Sequence, residues 1–98
     1  MLTELQKKIQ AILEFVSIVN ENKFPKKDHE RLLSAMLSPN EIEVIHQRIL
    51  VISLLHTGKS QREISEQLGV GVATATRGNR ILKENIDLFQ KILKKNES

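Results

Sequence analysis

Residues 60–83 read SQREISEQLGVGVATATRGNRILK, and this stretch decides the fold. Ser60 can cap a helix, and Glu63 three residues later completes a capping box. Ile64 and Leu68 fall on one face of the helix that follows. Gly69-Val70-Gly71 breaks it, and a second helix is predicted from Val72 to about Glu84. Helix, three-residue glycine turn, helix is the bihelical unit that reads DNA. Each position has a physical task. Gly69 takes the left-handed backbone that a sharp turn needs. Val70 plugs the junction, and Ala75 is small enough for the two helices to cross closely.

In that geometry the first turn of the second helix points into the major groove. Val72, Ala73, Thr74 and Thr76 are then expected near bases and phosphates. Threonine hydroxyls can hydrogen-bond to either, and Ala73 can meet a thymine methyl. Gln61 and Arg62 open the first helix where phosphates pass, and Lys83 at the far end of the second is a further phosphate contact. The competing reading is a structural helical hairpin with the same packing. Localised charge together with the short polar surface of the second helix favours DNA. The net charge is +3 over 98 residues. Lys59, Arg62, Arg77, Arg80 and Lys83 face only Glu63 and Glu66 in this segment, so the whole excess lies here. A local basic face is the footprint of a phosphate-backbone binder.

Gly78 is out of place in the middle of the reading helix, where glycine costs about 1 kcal/mol against alanine. It leaves a hollow that another backbone, a flat ligand or a close helix contact could fill.

Upstream, Ser38-Pro39-Asn40-Glu41 starts a helix, with Pro39 at its first position and Glu41 completing a capping box. It is expected to run to about Thr57, where Gly58 stops it. Its segment Ile49 to Leu55 is apolar almost all round, and such a helix must be covered on every side. One small chain can hardly surround it, so an intertwined dimer is predicted. The alternative is a core helix within one chain. Leu2, Leu5, Ile9, Ile12, Val16 and Val19 mark an amphipathic first helix over 2–19. Asn20 to Asp28 reads as a loop, with Pro25 holding Phe24 out of the helical region, and His29 to Leu37 as a short second helix. Ile86, Phe89, Ile92 and Leu93 mark a last helix, ending in a frayed tail from Lys94 to Ser98.

The fold class is therefore all-α and the chain one domain. Residues 1–57 are assigned to dimerisation, 60–84 to the helix-turn-helix, and 86–98 to a C-terminal helix and tail. The absence of cysteine excludes disulfides, zinc fingers and thiol catalysis. The opening MLTELQKKIQ lacks the apolar core of a signal peptide, so a cytoplasmic protein without membrane partners is expected. His29, His46 and His56 are widely spaced, which argues against a metal site. No phosphate-cradling loop is present, and no enzyme activity is expected.

Gly69 to Lys83, above all Ala73-Thr74-Ala75-Thr76-Arg77-Gly78, resembles the reading segment of the tryptophan repressor family. Ser60-Gln61-Arg62-Glu63-Ile64 is similar to that family's first motif helix, and Met36 to Glu41 to the loop before its third helix. The resemblance covers about Leu33 to Lys83. It implies an interwoven homodimer of six helices per chain that binds operator DNA, with L-tryptophan as corepressor beside the reading helix. By the same resemblance Arg48 and Arg77 sandwich the indole, and Arg77 also reaches the carboxylate. Ser38 serves the carboxylate, the carbonyls of Ala35 and Leu37 receive the ammonium, and Gly78 leaves room for the ring. Three positions depart from the family. Ile81 replaces a serine that binds the ligand ammonium, a loss worth about 1 kcal/mol. Arg80 replaces an asparagine. Ser65 replaces a lysine that contacts the DNA backbone, and Arg80 can restore that charge. The expected function is thus a dimeric, operator-binding repressor under an amino-acid corepressor. Two alternatives stand beside it: a ligand-independent DNA binder of the same superfamily, with Ile81 filling the hollow, and a helical interaction module with no DNA role.

Overall fold

Capping and turn chemistry set the boundaries of six helices in the computed structural model, which describes residues 1–94. These are α1 (Glu4–Asn22), α2 (Lys26–Met36), α3 (Pro39–His56), α4 (Gln61–Leu68), α5 (Val72–Glu84) and α6 (Ile86–Lys94). No strand occurs among the described residues. The chain divides into two compact units, the first Met1–Ser38 and the second from Pro39 onward.

In the first unit, Thr3 and Gln6 form a capping box at the start of α1. The loop expected over 20–28 shrinks to three residues. The helix continues to Asn22, whose side-chain amide donates to the Ile18 carbonyl at 2.7 Å. Lys23 then stops it in the left-handed region, with φ 49°. Pro25 starts α2 instead of merely ending the loop. Its carbonyl accepts from the backbone N–H groups of Asp28 and His29. The polar composition of 20–28 belongs to two helix ends, which also favour Asn, Lys and Pro. Neither α1 nor α2 buries a residue. The apolar row of α1 is open, with Leu5 67% and Ile12 62% exposed.

The second unit has a small core of Val51 and Ile52 from α3, Ile64 from α4, and Ala75 and Leu82 from α5. Helix α5 is its hub, packing on α3, α4 and α6. Ala75 is fully buried, which lets the helices approach. Gly78 is buried too, and a Cβ there would overlap Cγ1 of Val51 and reach Leu55 Cδ1 at 3.7 Å. The space left by its missing side chain is therefore a close helix contact on the α3 side. Gly58, with φ 99°, turns the chain out of α3 one residue earlier than expected. The apolar girdle of α3 is only half used: Val51 and Ile52 are buried, whereas Ile49 is 57% exposed. At the C-terminal end Lys94 belongs to α6, and the expected tail from 95 to 98 lies outside the described residues.

Candidate nucleic-acid interface and ligand slot

The helix-turn-helix is held by a short set of local bonds. The Ser60 hydroxyl accepts from the Glu63 N–H, and the Ser60 N–H donates to the Glu63 carboxylate, both at 3.1 Å. The backbone N–H of Ser60, then its hydroxyl, hold the Glu63 carboxyl below the usual glutamate range, and the Lys59 charge adds to this. Gly69, with φ 68°, ends α4 in the left-handed region. The Gly71 carbonyl then receives the N–H groups of Thr74 and Ala75 to start α5.

Two side-chain bonds tie the helices together. Ser65 Oγ donates to the Val70 carbonyl at 2.5 Å across the turn. Thr76 Oγ1 donates to Gln61 Oε1 at 2.9 Å, joining the first turn of α4 to α5. The Ser65 hydroxyl proton is thus engaged inside the motif, and a phosphate contact through it would break that bond. Gln61 keeps its amide N–H groups as donors.

The start of α5 is presented outward. Val72 is 66% exposed, Ala73 and Thr76 are exposed, and Thr74 is half-buried. Arg62, Arg77, Arg80 and Lys83 are exposed. Arg62 contacts Glu66 at 3.4 Å on an open helix surface, where such a pair contributes little and yields readily to a phosphate. Val72, Ala73, Thr76, Arg77 and Arg80 together line a shallow hollow on this face.

On an adjoining face of α5 lies a cavity of about 320 Å³ between α3 and α5. It contains four of the residues that the resemblance assigns to the ligand: Arg48, Arg77, Gly78 and Ile81. Helix spacing explains the α3 wall, since Val44, Arg48 and Val51 recur at four and three residues. Among the described residues neither Arg48 nor Arg77 has an ion-pair partner. Val44, Gln47, Ala73 and Thr74 also line the cavity and were not assigned to it from sequence. Their register with Arg48 and Arg77 was the available signal. Ala35, Leu37 and Ser38 belong to the first unit. Leu37 is extended at the end of α2, where its N–H donates to the Leu33 carbonyl.

Helix α4, the Gly69–Gly71 turn and α5 thus form a helix-turn-helix beside a cation-lined cavity. A family model described as Trp repressor protein matches residues 6–97, and the chain belongs to that family. It is 38% identical over 86 residues to a Trp operon repressor homolog of Vibrio campbellii, covering 87% of this chain and 82% of that protein. It is 48% identical over 75 residues to one of Vibrio atlanticus, covering 76% and 72%. With one of Vibrio vulnificus the identity is 43% over 63 residues, covering 63% of this chain and 62% of that protein. No solved structure matches the chain. Family and relatives together make it a repressor-like regulator of transcription. Among the described residues no helix is long and apolar enough to cross a membrane.

Proposed function

We propose that the protein is a sequence-specific repressor that binds double-stranded operator DNA as a homodimer and is controlled by a small ligand between α3 and α5. One observation carries the reading: Ala73 and Arg77 line both the cavity and the outward hollow. A ligand against Arg48 and Arg77 therefore touches the same stretch of α5 that meets DNA. Filling the cavity fixes the tilt of α5, and a ligand that favours that tilt shifts the population toward it. The guanidinium planes suit an aromatic face and a carboxylate. L-Tryptophan is the corepressor that the family suggests.

The contacts divide by chemistry. Gln61, Arg62, Arg80 and Lys83 are assigned to phosphates, with Ser65 beside them at the turn. Val72, Ala73, Thr74 and Thr76 are assigned to the groove. In the slot, Arg48 and Arg77 hold the ligand, and Gly78 and Ile81 shape its floor.

An intertwined dimer is supported by the helices that bury nothing. Covering one aliphatic side chain such as Leu5 or Ile12 contributes about 1.5–3 kcal/mol. The open rows of α1 and α3 offer several. A second chain covering them would give 1–57 its assigned role, and a regulator of this kind works in the cytoplasm without catalysis.

The test is operator affinity, using a duplex selected from a random pool, measured over a salt series with and without L-tryptophan. Affinity that falls steeply with salt and rises with the amino acid is expected. A second reading, ligand-independent binding, is favoured by Ile81, which places an aliphatic side chain in the cavity wall. It predicts the same affinity in both arms.

A further inference from the structure

We infer that Ser65 is a positioning residue for the first turn of α5: it sets how sharply the protein discriminates between DNA sequences, not how tightly it holds the phosphate backbone. This rests on the reading of α4 and α5 as the DNA-binding motif. The turn between these helices has two glycines in three residues, the residue type with the most backbone freedom. A Cβ at Gly69 or at Gly71 would meet nothing within 4 Å, so no packing closes around either position. Gly71 is the N-cap of α5 and gives it no side-chain cap, whereas Ser60 caps α4 with its hydroxyl. By composition the entry into α5 is the most pliable joint of the motif.

Ser65 restrains that joint. Its hydroxyl donates to the Val70 carbonyl at 2.5 Å from a half-buried position in the last turn of α4. The carbonyl shares one peptide plane with the Gly71 N–H, so holding it fixes the direction in which the chain enters α5. The next carbonyl, that of Gly71, receives the N–H groups of Thr74 and Ala75. The orientation set by Ser65 therefore passes to Val72, Ala73 and Thr74 within one turn. Hydrogen bonds to base edges weaken steeply when donor and acceptor fall out of line. A lysine or arginine on a phosphate follows a small rotation on its long stem. A turn that is free to rotate loses the first kind of contact and keeps the second.

Binding of the full chain to two duplexes over a salt series tests this: an operator selected from a random pool, and an unrelated sequence. Ser65→Ala is expected to weaken operator binding about five-fold, the order of one hydrogen bond, and to leave the unrelated duplex within about two-fold of wild type. The ratio between the two falls accordingly. The slope of log affinity against log salt stays as in wild type, because no phosphate charge is lost. Ser65→Thr keeps the hydroxyl and is expected to keep most of the ratio. Ser65→Lys is expected to steepen the slope by about 0.9, tighten the unrelated duplex and lower the ratio. All variants are compared at matched helical circular dichroism. Equal weakening of both duplexes by Ser65→Ala, or an unchanged ratio, overturns the inference and leaves the DNA-binding motif in place. If Ser65→Ala does not fold, equal ratios in Ser65→Thr and Ser65→Lys overturn it. A wild type that binds both duplexes alike, with no dependence on salt, overturns the DNA-binding reading itself.

Discussion

Gly78 of α5 lies directly against Val51 of α3, so closely that a Cβ on the glycine would overlap Cγ1 of the valine. Both residues are buried, and both also line the cavity beside them. The contact sets the distance between α5 and α3, the helix that carries Arg48. It explains why a glycine, unfavourable by about 1 kcal/mol inside a helix, stands there.

Gly78→Ala gains helix propensity yet is expected to destabilise the protein by about 1–2 kcal/mol. Val51 is β-branched and stiff at χ1, so it has no easy rotamer escape, and overpacking costs about 1–3 kcal/mol. Val51→Ala removes the obstructing methyls. The two substitutions together are expected to cost less than their sum, with a coupling of about 1 kcal/mol or more in urea unfolding. Additive costs would place the obstruction elsewhere.

The Thr76–Gln61 bond joins the start of α4 to α5. Thr76→Val keeps the shape and removes the donor. Stability is expected to fall by up to about 1 kcal/mol, since the bond is exposed. Operator affinity is expected to fall further than that, because Gln61 loses its anchor. Gel-shift titration of Thr76→Val and Gln61→Ala, singly and combined, reads the coupling.

Ser60 anchors the motif at its other end. Ser60→Ala is expected to cost about 1 kcal/mol of stability. The Glu63 carboxyl is held low in the folded state, so its contribution is complete above the unfolded-state value. That contribution disappears as pH falls through the lower folded value. A carbon-detected NMR titration of Glu63 should show its pKa rising in Ser60→Ala. The stability difference between wild type and variant should narrow in acid.

Arg80 is exposed beside Arg77 on the outer face of α5. Arg80→Gln is expected to weaken binding to all duplexes alike. It should also reduce the slope of log affinity against log salt by about 0.9, the value for one phosphate contact. An unchanged slope would place Arg80 away from the DNA backbone.

Much of this molecule was legible in local sequence. The Ser60 box, the Gly69 turn and the α5 limits depend on residues within a few positions of one another. The fold there follows from capping and backbone freedom. The 20–28 segment was misjudged because Asn22, Lys23 and Pro25 suit helix ends as well as loops. The partner of Gly78 was not readable, since Val51 lies in another helix and only packing brings the two together. In the cavity, Arg48, Arg77, Gly78 and Ile81 were found by their resemblance to a known pattern. Val44 and Gln47 were missed, although both share a helix face with Arg48 or its neighbours.

In the function proposed here, α5 serves DNA with its first turn and a ligand with its middle. The direct measurement is operator affinity of the wild type and of Arg48→Ala, each with and without saturating L-tryptophan. Arg48 sits on α3, outside the outward hollow, so its loss touches the slot alone. At least about five-fold tighter binding with ligand is expected in the wild type, within the usual range of coupling between sites, and no change in Arg48→Ala. Wild-type affinity that is the same with and without the ligand would contradict it.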